Sequence, residues 1–211
     1  MNLKNIIAQN LLQIKAIKLN PQNPFTWASG MRSPIYCDNR VSLSYPEVRT
    51  LIKKSLAEVA TQLGATDMIA GVATAGIAHG ALLADELNLP FCYVRSNPKE
   101  HGRQNQIEGE IAPHSKILVV EDLISTGGSS IDVVKVLRSE GHDVVGVLAI
   151  FDYQFEIARQ NFLNSQCIYR TLSDYSTLIT EAVASHYISD AEAEMLSNWN
   201  SDPHQWYANS K

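Results

Sequence analysis

The chain is poor in cysteine, in cationic charge and in long apolar runs, and each shortage excludes a class of protein. It has only three cysteines, Cys37, Cys92 and Cys167. They are widely spaced and form no Cys-x-x-Cys pair, so neither a disulfide framework nor a structural zinc site is expected. Net charge is −5, which argues against general nucleic-acid binding, because affinity for a phosphate backbone requires accumulated positive charge. No apolar stretch approaches the length of a membrane span. The first residues intersperse lysine, asparagine and glutamine among apolar positions and so lack a signal-peptide core. No membrane partner and a cytoplasmic location are the expectations. What remains is ordinary globular composition, 45% hydrophobic over 211 residues, enough for one substantial core with a small subdomain.

The most specific stretch is Ile117-Leu118-Val119-Val120-Glu121-Asp122-Leu123-Ile124-Ser125-Thr126-Gly127-Gly128-Ser129-Ser130. An apolar strand runs into two carboxylates, then into a hydroxyl- and glycine-rich turn, and then into a helical pattern. Ionised carboxylates only accept hydrogen bonds, so an adjacent pair can receive two sugar hydroxyls. Glycines let backbone N–H groups approach a phosphate. The first turn of the following helix adds unpaired amides and a partial positive charge. The arrangement suits a phosphorylated ribose. It is neither a Walker A loop nor a dinucleotide fingerprint.

A second segment carries the cations: Arg95, Lys99, His101 and Arg103 fall within nine positions of an otherwise acidic chain. It follows an expected strand at 91–94 and reads as an exposed loop able to close over a polyanion and exclude water. The remaining histidines, His79, His114, His142, His186 and His204, show no metal-ligand spacing and are expected on surfaces or at helix ends.

Elsewhere the pattern alternates. Leu3, Ile7, Leu11, Ile14 and Ile17 recur at helical spacing, predicting a first helix that stops near Asn20. Ser44-Tyr45-Pro46-Glu47 reads as a capping box for a second helix that ends at Gly64. Strands are expected at 68–72, 91–94, 107–111, 117–120 and 144–151. Helices are expected at 77–87, from the glycine turn to Gly141, and at 178–187 and 191–199. Such a succession predicts an α/β fold with a mostly parallel, twisted sheet flanked by helices and ligands at the carboxyl ends of its strands.

The acidic strand and its loop resemble the signature of the type I phosphoribosyltransferase family. The pattern Arg95-x-x-x-Lys99-x-His101-Gly102 resembles the catalytic loop of its orotate-specific members. Ser29-Gly30-Met31-Arg32-Ser33-Pro34 and Val72-Ala73-Thr74-Ala75-Gly76 resemble the segments over the base and beside pyrophosphate. The resemblance implies the type I fold as one domain over 1–211. Its small hood would lie mainly within 1–43, its α/β core at about 44–170 and its C-terminal helices at 171–211.

The implied reaction is transfer of phosphoribose from phosphoribosyl diphosphate to orotate in pyrimidine synthesis. In this reading Lys99 is catalytic. Arg95, Lys99, His101, Glu121, Asp122, Leu123, Ile124, Ser125, Thr126, Gly127, Gly128 and Ser129 hold phosphoribosyl diphosphate. Ser125 also meets orotate, with Trp27 and Tyr36 shaping the base site. Magnesium would arrive mainly on the substrate diphosphate, with no protein metal site. The working unit would be a homodimer sharing its mobile loop.

The chain departs from many members at Ala28, Ala75, Asn97 and Tyr153, where they carry cations or, at 75, the lysine of a Tyr-Lys pair. Two other functions stay open at this level: transfer to another nucleobase, and a non-catalytic sensor of phosphoribosyl diphosphate.

Overall fold

In a strand buried on both faces, successive side chains must enter two different cores, and this requirement organises the molecule. The computed structural model describes residues 2–27, 30–95, 106–203 and 206. After the first helix, α1 (Leu3–Gln13), come four short strands: β1 (Ile17–Leu19), β2 (Phe25–Thr26), β3 (Arg32–Ser33) and β4 (Ile35–Cys37). They pair as two antiparallel ribbons, β1 with β4 and β2 with β3. A 3₁₀ turn, Asn39–Ser44, leads to α2 (Pro46–Leu63).

Alternation then begins, with β5 (Met68–Val72), α3 (Ala75–Leu87), β6 (Phe91–Val94) and β7 (Ile107–Glu108). It continues through β8 (Lys116–Ile124), α4 (Gly128–Ser139), β9 (Asp143–Asp152), α5 (Glu156–Asn164) and β10 (Tyr169–Asp174), and closes with α6 (Tyr175–Ala184) and α7 (Asp190–Ser201). The six-stranded sheet has the order β10-β9-β8-β5-β6-β7. Its pairs are parallel except β6 with β7.

The core splits by residue parity. Leu118 and Val120 of β8, with Leu148 and Ile150 of β9, face a cluster filled from α1, α2, α3, α6 and α7. Ile117, Val119, Val147 and Ala149 face the opposite cluster, filled from α4 and α5. An ion pair between Lys53 and Glu86, 2.6 Å, ties α2 to α3.

Several expectations are corrected. The first helix ends at Gln13. Lys15 adopts φ +59°, a left-handed reversal, and Ile17 starts a strand. Ile14 and Ile17 kept helical spacing because both enter the same core. The second helix has no capping box. Tyr45 takes the N-cap without a side-chain hydrogen bond, and Pro46 occupies the first turn, where its missing N–H costs nothing. Strand β7 is shorter than expected. The last strand, β10, runs to Asp174. Helix α1 packs on the main core: Lys4 pairs with Asp174 at 2.6 Å, and the amides of Asn5 and Gln9 both donate to Glu181. Only the two ribbons and the 3₁₀ turn remain as a small cap.

Candidate active site

Parallel strands share one carboxyl edge, so the segments after β5, β6, β8 and β9 gather there. Strand β8 does not end before its acids, as its sequence implied. It runs on through Glu121, Asp122 and Leu123 to Ile124, with Glu121 opposite Ala149 and Ile124 opposite Asp152. Alternation therefore sends the two carboxylates to opposite faces. Glu121 turns toward α4, where Ser129 Oγ donates to Oε2 at 3.1 Å, while Oε1 accepts the Asp122 N–H at 3.0 Å. Asp122 lies beneath the cap, where Asn39 Nδ2 donates to its main-chain carbonyl at 2.7 Å.

Both acids are pushed above the usual carboxylate range. For Glu121, 5% exposed, burial is the main cause and the Asp122 charge the next. Burial also raises Asp122, against hydrogen bonding from Glu121 and the charge of Arg40. Paired acids held partly out of water favour a ligand that brings donors and neutralising cations.

The turn after β8 takes its shape from Gly127. Its φ is +75°, and a Cβ there would lie 2.7 Å from Cε2 of Phe162. It caps α4 without any side-chain hydrogen bond to the first turn, leaving those amides for an anion. Asn161 steadies the turn by donating to the Thr126 carbonyl at 3.0 Å. Gly128 and Ser129 belong to the helix rather than to the loop, and the Ser129 hydroxyl is engaged by Glu121. The Ile124 side chain is in the core, and its carbonyl accepts the Tyr153 N–H at 3.0 Å.

Helix α3 reaches the same edge through Gly76. A Cβ on Gly76 would collide with the Val120 carbonyl oxygen and crowd Glu121 Cα, both main-chain atoms that cannot yield. Gly76→Ala is expected to destabilise the fold by about 1–3 kcal/mol, the usual cost of overpacking, seen as a lower midpoint in urea unfolding at unchanged slope. A stability equal to that of the parent would show that α3 can slide away from β8.

A cavity of about 230 Å³ lies beside the acidic strand, lined by Trp27, Tyr36, Cys37, Leu123, Ser125 and Tyr153. Trp27, Tyr36 and Ser125, expected at the base, are thus brought together. Leu123, expected at the diphosphate, also lines this wall. Tyr153 and Cys37 were not among the expected site residues. Tyr153 is fixed by stacking on Phe155 (centroids 5.3 Å, planes 12°) and by edge contacts with Trp199 and Phe151. Trp199 is fully buried. Cys37 ends β4 and Tyr153 follows the end of β9, so both reach the cavity from segments remote in sequence from the acids.

Arg95 follows the end of β6 on the same edge. Its N–H donates to the Gln106 carbonyl at 2.9 Å, and Gln106 Nε2 donates back at 3.1 Å. Its guanidinium pairs with Glu108 at 3.5 Å. Lys99, His101 and Arg103 lie outside the described residues, as do Ala28, Asn97 and His204. His79 corrects an expectation: it is 1% exposed within α3, and burial pushes its imidazole down to about 4. Among the described residues no group of three or more His, Cys, Asp or Glu side chains is placed to hold a metal, and no helix is long and apolar enough to cross a membrane.

Residues 43–174 match the model of the phosphoribosyl transferase domain. The orotate phosphoribosyltransferase of Porphyromonas gingivalis is 51% identical over 205 residues, covering 97% of this chain and 98% of the relative. That of Streptococcus sanguinis is 50% identical over 209 residues, covering 99% and 100%. The crystal structure of orotate phosphoribosyltransferase from Aeropyrum pernix superposes with a TM-score of 0.71 at 28% identity, covering 83% of this chain and 98% of that one. With a matching domain, near-complete coverage at about half identity and the same sheet, the chain belongs to the orotate phosphoribosyltransferases, within the phosphoribosyl transferase family.

Proposed function

We propose that the carboxyl edge of the sheet carries out the family's reaction with the residues found there. The observation that carries this reading is the continuity of β8: one strand presents Glu121 and Asp122, passes the aromatic cavity at Leu123 and Ser125, and delivers the chain to the uncapped first turn of α4. Glu121 and Asp122 receive the ribose hydroxyls. Ser125, Thr126, Gly127 and the first amides of α4, with Gly128 and Ser129, hold the 5-phosphate. Orotate enters between Trp27, Tyr36 and Tyr153, with Ser125 at its edge.

The reaction breaks the bond from the anomeric carbon to diphosphate, forms one to a ring nitrogen of orotate and releases that nitrogen's proton, giving orotidine 5'-phosphate and diphosphate. As diphosphate departs, the sugar gains oxocarbenium-like charge. The acids below it favour that charge, while Arg95, Lys99 and His101 favour the leaving group, Lys99 as the catalytic cation. Magnesium supplies charge neutralisation of the diphosphate. The acidic pair Glu121 and Asp122 suits an ion that keeps substrate oxygens and waters as most of its ligands. The working unit is a homodimer in which the segment carrying Lys99 serves the neighbouring subunit.

A steady-state assay with purified protein tests this reading. Orotate absorbance is expected to fall only with phosphoribosyl diphosphate and magnesium both present, and adenine, xanthine and uracil are expected to be poor acceptors. Binding of phosphoribosyl diphosphate with no acceptor-dependent diphosphate release would refute it in favour of a sensor.

A further inference from the structure

We propose that Arg40 binds the carboxylate of orotate at the mouth of the aromatic cavity, and so selects an anionic base over a neutral one. The inference deepens the reading above and rests on it. The described lining of the cavity, Trp27, Tyr36, Cys37, Leu123, Ser125 and Tyr153, contains no cationic side chain. Two carboxylates adjoin this wall, Asp38 next to Cys37 and Asp122 next to Leu123. The Cys37 thiol is pushed well up, first by burial and then by the charges of Asp122 and Asp38. An anionic base entering this space meets repulsion unless a cation accompanies it.

Arg40 follows shortly after Cys37 of that wall and directly after Asn39, which bonds the acidic strand. Asn39 beside it is fully buried and anchored on the Asp122 carbonyl at 2.7 Å, which holds the start of the 3₁₀ turn against the acidic strand. On the other side, Asp38 adjoins Cys37 of the cavity wall. Asp38 grips the guanidinium through Nε at 2.7 Å and Nη2 at 2.9 Å. A guanidinium carries five N–H donors, so Nη1 and the outer proton of Nη2 remain for another acceptor. The side chain is 58% exposed, open to an incoming ligand. Its charged state is favoured first by the hydrogen bonds to Asp38 and, further out, by Asp122 and Tyr36, so it lies within electrostatic reach of both the acids and the cavity. Asp38 is the positioning residue that holds the fork.

The test compares Arg40→Gln and Arg40→Lys with the parent protein, measuring KM for each substrate, kcat and the thermal midpoint. Arg40→Gln is expected to raise KM for orotate about tenfold or more, the loss of a charge-assisted hydrogen bond. Arg40→Lys should raise it less, since the charge remains. KM for phosphoribosyl diphosphate should stay within about twofold, because uniform loss of base binding leaves the other substrate untouched. The thermal midpoint should not move, the side chain being exposed. An unchanged orotate KM would overturn the proposal. So would a rise confined to phosphoribosyl diphosphate, which would assign Arg40 to the phosphates, or a rise in both with a lowered midpoint, which would make its role structural. Failure of the parent protein to consume orotate would instead sink the reading of the reaction itself.

Discussion

Lys99→Ala is expected to lower turnover about 10²–10³-fold, the range seen when one positioned group that stabilises transition-state charge is removed. The reasoning is electrostatic. The departing diphosphate gathers negative charge beside two carboxylates that are already reluctant to ionise, and the loop motif places its central lysine among Arg95 and His101. A compact ammonium contributes most to the species in which charge has moved, so kcat should fall more than KM rises. The folding midpoint should not change. Near-normal orotate consumption by the variant would remove Lys99 from the mechanism. The shared-loop arrangement has its own readout. Mixed with Glu121→Gln subunits, Lys99→Ala subunits should regain part of the parental activity, since one mixed site would combine an intact loop with an intact acid pair. Mixtures no more active than their separate components would mean that each loop serves its own subunit.

Glu121→Gln should move activity and stability in opposite directions. Turnover is expected to fall about 10–100-fold, through loss of a charged acceptor for a ribose hydroxyl. The empty protein is expected to become more stable near pH 8 by about 1–2 kcal/mol, raising its thermal midpoint by about 2–6 °C. The sign follows from the raised acidity constant. Burial first, and the Asp122 charge second, hold the Glu121 carboxyl well above its ordinary value of 4.5. The folded chain therefore keeps a proton that the unfolded chain has released. Stability from this group is fully present below about pH 4.5 and is lost as pH rises through the folded value. The neutral amide escapes that loss: its oxygen can still accept the Asp122 N–H, while its NH2 donates to the Ser129 hydroxyl, which can accept as well as donate. The midpoint difference between variant and parent should thus vanish near pH 4. A variant less stable than its parent at pH 8 would show that Glu121 is held ionised by contacts stronger than its burial.

The sequence was readable wherever local chemistry and tertiary environment agree. Strands β5, β6 and β9 were expected within a residue or so of where they lie, because a strand buried on both faces must be continuously apolar. Helix α5 and strand β10 were not expected. Of the nine residues of α5 only Ala158 and Phe162 are buried. In β10 the outer segment Tyr169–Thr171 is half exposed and Ser173 and Asp174 are polar, satisfied by distant partners: Ser173 donates to the Lys4 carbonyl at 2.9 Å, and Asp174 caps α6. A polar residue paired with a group far along the chain leaves no local trace. The same reason hid the burial of His79.

Unaided, the sequence determined the α/β class, the family and the order of the chemical groups along β8 and α4, because those depend on residue types at fixed short spacings. Only the tertiary structure decided that alternation parts Glu121 from Asp122, that Tyr153 and Cys37 wall a cavity with Trp27, and that Asn39 ties the 3₁₀ turn to the acidic strand. Those relations join residues from separate strands and ribbons. They come from how sheet and cap pack, and packing pairs groups by shape and charge across distances no local pattern records.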